Sequence, residues 1–339
     1  MTNIFIGIAQ NQVYNFQNLI KQLGKKSECN ILITSEAIKY DSTLFKKVII
    51  SGKTFNNNAT TGFEKLKSIL YKIKNYNNIV KQLQGYKEVK NLTLYFCYIE
   101  DVLTNHLFFS FNKNIKGVVM EDGILNYYSH TINNVSKLTF KLKCLLAYIY
   151  GLRMKYYKGH SSGIDYDKVV CQYVRIPNLT VCPSKSKQLH INQIEIQSLT
   201  NSVLIIGQEP LENSIGSEAY YKRIAYLLTK IKRLKHYTNI DVVYYKPHRN
   251  GKKINESFLR SILDEKKLVF LEATASIEEL YFFDLKSKFV FGFNSSAAIN
   301  IYMGLKETTR QRVSFNVFLE KNDTLKEVFT QLKFNILHL

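Results

Sequence analysis

Short apolar runs rich in β-branched and aromatic residues alternate with amphipathic stretches along the whole chain, the pattern of parallel sheets covered by helices on both faces. In the first half the predicted strands are residues 4–9, 29–34, 47–51, 92–98 and 117–121. The longest helix predicted between them covers about 61–90, where Phe63, Leu66, Ile69, Leu70, Ile73, Tyr76, Ile79, Val80 and Leu83 recur every three to four positions and lysines fill the other face. A basic amphipathic stretch at 135–160 leads into a segment bearing Ser, Gly and Pro with weaker periodicity, through about residue 196. A second series then begins, with strands at 203–207, 241–246, 268–271 and 289–293 and helices at about 217–236, 255–264 and 276–284. The chain reads as two α/β domains, 1–160 and 201–339, joined by a connection over 161–200.

Composition narrows the class. With 339 residues, 45% of them hydrophobic and 13% aromatic, the chain can bury a sizeable core, which excludes a disulfide-stapled module and a disordered chain. The net charge of +20 calls for an anionic partner: nucleic acid, an anionic membrane face or a phosphorylated substrate. No apolar stretch reaches the ~20 residues of a membrane span. The opening MTNIFIGIAQNQ has no basic n-region or cleavage site, and the five cysteines lack CxxC spacing, so the expectation is a cytoplasmic protein with reduced thiols.

In open α/β sheets ligands bind beyond the carboxyl ends of strands, and four such positions carry unusual side chains. VVMEDGILNYY, residues 118–128, places Glu121, Asp122 and Gly123 after an apolar strand. Adjacent carboxylates repel, so one could serve as a general base; the bland reading is a solvated turn in which Gly123 supplies a positive φ. DVVYYKPHRNGKK, residues 241–253, delivers Lys246, Pro247, His248 and Arg249. A histidine among cations holds its proton weakly unless an anion sits beside it, and with a phosphate bound it becomes a proton donor. The alternative is a surface histidine in a basic turn. In residues 288–304 a strand ends before Ser295 and Ser296, which open an apolar helix, either as an anion site or as plain N-capping. Glu272 follows the strand at 268–271, where a carboxylate can accept hydrogen bonds from a ribose.

Glu-Asp-Gly, then Lys-Pro-His, then Ser-Ser, in this order, resembles the bacterial sialyltransferases, which carry a D/E-D/E-G motif, an HP motif and a paired Ser/Thr motif. Residues 202–224, SVLIIGQEPLENSIGSEAYYKRI, also resemble the opening of the nucleotide domain in the lipooligosaccharide sialyltransferase and polysialyltransferase branch. The resemblance implies a GT-B architecture of two Rossmann-like domains facing a central cleft. It implies that Glu121 is the general base for the acceptor hydroxyl, that His248 donates a proton to the departing cytidine monophosphate, and that Ser295 and Ser296 contact the phosphate. Lys246, Glu272, Gly207 and Gln208 fall on the donor side, and Asp122, Gly123 and Arg249 are acceptor-side or auxiliary. The motif's His-Pro reads His248-Arg249 here.

A donor with one phosphate leaves little charge to neutralise, so histidine, lysine and serine dipoles can replace a divalent metal. No metal or other cofactor is therefore expected; Asp165-Tyr166-Asp167 matches a DxD pattern, but so short a pattern recurs by chance. The expected reaction is inverting transfer from CMP-sialic acid to a galactose-type or sialic acid acceptor on lipooligosaccharide or capsular glycan. The expected partners are that donor, a lipid-linked acceptor and the anionic inner membrane, touched through basic amphipathic stretches at 137–158 and 221–236. A homodimer is allowed for. The alternatives are a GT-B enzyme using another nucleotide sugar and a basic nucleic-acid-binding protein; the second lacks a binding module or Arg-aromatic interleaving, so nucleic acid is not expected as a partner.

Overall fold

A computed structural model describes residues 1–52, 62–131, 137–235, 237–248, 254–263, 267–320 and 323–338, and it divides into two units, Met1–Ile191 and Asn192–Leu339. The first unit runs β1 (Thr2–Ile6), α1 (Gln10–Gln22), β2 (Cys29–Thr34), β3 (Lys47–Ile50), α2 (Gly62–Gln82), β4 (Leu92–Phe96), α3 (Val102–His106), β5 (Lys116–Met120), α4 (Lys137–Ile149), β6 (Val169–Val174) and β7 (Ser186–Gln188). Its strands form one parallel seven-stranded sheet in the order β3-β2-β1-β4-β5-β6-β7. Side chains alternate between its faces because strand periodicity is two. Ile4, Ile6, Ile31, Ile33, Leu94, Phe96 and Val119 pack with α2 and α3 on one face, whereas Phe5, Leu32, Tyr95, Val118 and Met120 pack with Val13, Phe16, Leu19 and Ile20 of α1 on the other. Burial on both faces explains why these strands read as continuous apolar runs.

The division falls inside the segment expected to join the domains, but residues 161–191 of that segment belong to the first unit and supply its sheet with β6 and β7. A polar side chain hides the strand from a periodicity reading. Gln172 of β6 is fully buried, accepting from Asn126 Nδ2 (2.9 Å) and donating to Ser186 Oγ (2.7 Å). The edge strand β7 is the polar tripeptide Ser-Lys-Gln.

The second unit runs β8 (Thr200–Ile206), α5 (Glu212–Ile215), α6 (Ser217–Lys232), β9 (Val243–Lys246), α7 (Glu256–Ile262), β10 (Leu268–Phe270), α8 (Ile277–Glu279), β11 (Ser287–Gly292), α9 (Ser296–Gly304), α10 (Glu307–Arg310), β12 (Ser314–Phe318), α11 (Lys326–Gln331) and β13 (Asn335–Leu337). The six strands are parallel in the order β10-β9-β8-β11-β12-β13. The helix expected over 276–284 is a single turn, α8, continued by a π-helical turn over Leu280–Leu285. Val203, Ile205, Val243, Tyr245 and Phe291 pack with Tyr220, Ile224, Leu227, Leu228 and Ile231 of α6. In each sheet the strand order reverses once, between β1 and β4 in the first and between β8 and β11 in the second. Those are the points where exit loops on adjacent strands part to opposite faces and leave a crevice.

Candidate active site

In the second unit the register sets the level of every exit loop. Ile206 of β8 pairs with Lys246 of β9 on one side and with Gly292 of β11 on the other. Gly207-Gln208, Pro247-His248 and the Phe293 to Ser296 segment therefore leave the sheet side by side. Leu271-Glu272 follows from the next strand, where Phe270 pairs with Tyr245. The structure thus gathers Gly207, Gln208, Lys246, His248, Glu272, Ser295 and Ser296 at one edge of one sheet, around its switch point. Arg249 lies outside the described residues.

Ser295 caps α9: its hydroxyl accepts from Ala297 N (3.2 Å), and Ser296 is the first helical residue. Capping and anion binding share this geometry, because the unpaired amides of the first turn and the helix dipole face the same point. Lys246 is buried and donates to Pro247 O (3.1 Å) and Ala273 O (2.7 Å), which ties its loop to the one carrying Glu272. Glu272 itself is exposed and accepts from Thr274 Oγ1 (2.6 Å).

The residue that sequence reasoning missed here is Glu209. It is 2% exposed, and its carboxylate accepts from Tyr245 Oη (2.7 Å) and from the backbone N–H of His248 (2.7 Å). Burial raises its pKa, against the opposing pull of the His248 amide, Tyr245 and Lys246. Gly207 is what lets it fold back: a Cβ there would lie 2.7 Å from Tyr245 Oη and 2.8 and 2.9 Å from the two carboxylate oxygens. A glycine two residues before an acidic residue at the end of an apolar strand was the available signal.

In the first unit, Glu121 and Asp122 follow β5 at the end of the sheet, but their surroundings differ. Glu121 is 1% exposed. Its Oε1 accepts from Arg175 Nη1 (2.6 Å), and its Oε2 accepts from Tyr127 Oη (2.8 Å) and from the backbone N–H of Arg175 (2.5 Å). Arg175 is buried too and donates its Nη2 to Asn15 Oδ1 (3.1 Å) on α1. Asp122 is partly exposed, its amide donating to Asn126 Oδ1 (3.2 Å), and Gly123 adopts φ +60° as expected of the turn. The Arg175 guanidinium offsets the buried charge of Glu121, whereas Asp122 keeps contact with solvent. Arg175 sits just past β6, in the segment read as a connection, so it was not singled out.

Beyond the end of β4 a cavity of about 290 Å³ is lined by Lys72, Tyr76, Tyr98, Glu100, Asp101 and Lys143, among others. Asp101 caps α3 and is paired with Lys72 (3.2 Å) and Tyr76 Oη (2.7 Å). Burial would raise its pKa, but these partners hold it below the ordinary value. Glu100 accepts from Ser161 Oγ, which also meets His130 Nδ1 (2.7 Å). Among the described residues no three His, Cys, Asp or Glu side chains are grouped as metal ligands, and Asp165 of the DxD match instead accepts from His160 N (2.7 Å).

The two basic amphipathic stretches separate. α6 buries its apolar stripe in the core and has no exposed large apolar side chain. α4 packs Phe140 and Ala147 inward but leaves Leu138 (79%), Tyr148 (74%), Ile149 (65%), Leu142 and Leu145 in water. Among the described residues no helix is long and apolar enough to cross a membrane.

Two stability outcomes follow. Arg175→Ala strands Glu121 as a buried, uncompensated charge and should destabilise by about 3–5 kcal/mol in denaturant titration, more than a surface arginine would; an unchanged midpoint would refute the pair's importance. For Glu209 the folded pKa lies above the unfolded one, so its contribution is present below the ordinary carboxylate range and is lost as pH rises through the folded value. The stability of the parent chain relative to Glu209→Gln should therefore fall as pH is raised from about 4 to 7, and a flat difference would contradict the burial.

The family model described as Alpha-2,8-polysialyltransferase (POLYST) matches residues 3–310. None of the curated proteins compared matches the chain. Among solved structures, the α/β-galactoside α-2,3-sialyltransferase of Photobacterium phosphoreum aligns at 14% identity with TM-score 0.53, over 99% of this chain and 98% of that one. The GT-B domain of a Photobacterium damselae sialyltransferase aligns at 14% identity with TM-score 0.52, over 100% of both chains. A UDP-GlcNAc 2-epimerase from Methanocaldococcus jannaschii aligns at 11% identity with TM-score 0.51, over 100% of this chain and 89% of that one. These likenesses establish the GT-B fold, and the family match establishes the kind of enzyme: the chain is a glycosyltransferase belonging to the alpha-2,8-polysialyltransferase family.

Proposed function

We propose that the protein moves sialic acid from CMP-sialic acid to a hydroxyl of a glycan acceptor with inversion at the anomeric carbon. The observation that carries the donor half is the level register of β9, β8 and β11, which brings the His248 loop and the first turn of α9 out of the sheet together. The α9 amides, with Ser295 and Ser296, receive the single phosphate, and Glu272 on the neighbouring loop receives the ribose. In the reaction the acceptor oxygen forms a bond to the anomeric carbon while the bond from that carbon to the phosphate oxygen breaks. The hydroxyl proton passes to a carboxylate of the Glu121–Asp122 pair. His248 gives its proton to the leaving phosphate, which departs as cytidine monophosphate, and the transition state is oxocarbenium-like. Glu121 can take the base role only after Oε1 leaves Arg175, because its carboxylate oxygens are engaged by three hydrogen bonds from inside its own unit.

Of a galactose-type and a sialic acid acceptor, on lipooligosaccharide or capsular glycan, the family match favours sialic acid. A lipid-linked acceptor also suits α4, which carries exposed Leu138, Leu142, Leu145, Tyr148 and Ile149 together with Lys141 and Lys143, on a chain of net charge +20. An apolar stripe edged by cations matches an anionic bilayer surface.

Incubation with CMP-sialic acid and a sialylated acceptor should release cytidine monophosphate without added metal, whereas uridine diphosphate sugars should not be hydrolysed; the reverse preference would reassign the donor. Glu121→Gln and His248→Ala should each lower turnover by about 100-fold or more. Near-normal Glu121→Gln with a crippled Asp122→Asn would move the base to Asp122. Leu142→Ser/Leu145→Ser/Ile149→Ser should abolish co-sedimentation with phosphatidylglycerol vesicles and leave donor hydrolysis intact, and retained sedimentation would dismiss α4 as the contact.

A further inference from the structure

At Glu209 the second unit buries a carboxylate whose two hydrogen bonds both serve the β9 strand and its exit loop. Taking a charged group out of water is costly, and well-packed apolar or neutral polar replacements at such positions are often no less stable. Its surroundings explain its presence in another way. The β8–β9 ladder ends with Gly207 N–H donating to Lys246 O (2.9 Å), and the next amide that needs an acceptor is that of His248. Glu209 Oε2 takes it at 2.7 Å. On the other side of the same peptide unit, Pro247 O accepts from the buried Lys246 ammonium at 3.1 Å. One peptide plane, Pro247–His248, is thus held by a buried carboxyl group at its N–H and a buried ammonium at its C=O. Tyr245 Oη donates to the other carboxyl oxygen at 2.7 Å, a second restraint on its orientation.

We propose that Glu209 is a positioning residue for His248, holding the peptide that sets the starting point and direction of the imidazole. Nothing in this arrangement asks Glu209 to touch the donor. The proposal rests on the reading of His248 as proton donor to the leaving phosphate.

Steady-state release of cytidine monophosphate from CMP-sialic acid, with a sialylated acceptor, provides the test. Glu209→Ala should lower kcat about 10- to 100-fold while donor KM stays within about threefold, since a group displaced by roughly an ångström loses rate rather than binding. Glu209→Gln should stay within about fivefold of the parent, because its Oε1 still accepts from His248 N–H and its amide can donate to Tyr245 Oη. In a His248→Ala background Glu209→Ala should cost no more than about twofold further, the non-additivity of groups acting as a unit. Should Glu209→Ala not fold, Glu209→Met keeps the volume without the acceptor and gives the same comparison. Unchanged kcat in Glu209→Ala or Glu209→Met, a glutamine variant as impaired as either, or fully multiplicative losses in the double variant would each overturn the positioning role. Near-parent activity in His248→Ala would instead overturn the proton-donor reading, and the positioning role with it.

Discussion

A backbone amide that leaves the end of a parallel sheet loses its ladder partner, yet it is still too close to the core to find water, and an unsatisfied buried donor costs about 1–3 kcal/mol. Both units of this protein meet that constraint with a buried glutamate. Glu121 accepts the amide of Arg175 past β6, and Glu209 accepts the amide of His248 past β9. Each carboxylate then needs its own compensation, because an isolated buried charge is far more costly than the amide it serves. Glu121 recruits the Arg175 guanidinium and Tyr127; Glu209 recruits Tyr245 and shares a peptide plane with Lys246.

These compensations decide which side chains remain for chemistry. Glu121 is engaged on both oxygens while its neighbour Asp122 reaches the surface, although the two are adjacent in sequence. Lys246 directs two donors at loop carbonyls, which makes it as much a loop clamp as a counter-ion. Ser295 directs its hydroxyl at the α9 amide of Ala297. His248, half-buried and held by its backbone, is the imidazole that the second unit carries at the exit of β9.

Much of this was legible. Apolar runs bounded by turns gave the strands from β1 to β5 and from β8 to β11, and Glu-Asp-Gly, Lys-Pro-His and Ser-Ser were found at strand ends, where the structure places them. β6 was hidden because Gln172 interrupts its apolar run, and a buried glutamine is betrayed only by the Asn126 and Ser186 partners that lie 46 and 14 residues away. Arg175 and Glu209 were overlooked for the same reason: each looks like an ordinary charged loop residue until its partner is known. α4 and α6 carry similar patterns of lysine and apolar residues, and only packing reveals that α6 spends its stripe on the core and α4 does not.

What the sequence determined by itself was periodicity and punctuation: two series of strands and helices, the glycine turn at Gly123, and the order of three motifs. Those are local quantities, fixed by backbone sterics and by which residues dislike water. Register, strand order and the fate of each buried charge were decided by the tertiary structure. They depend on which strand ends lie level with one another, and hydrophobic pattern is indifferent to that until the sheet has formed.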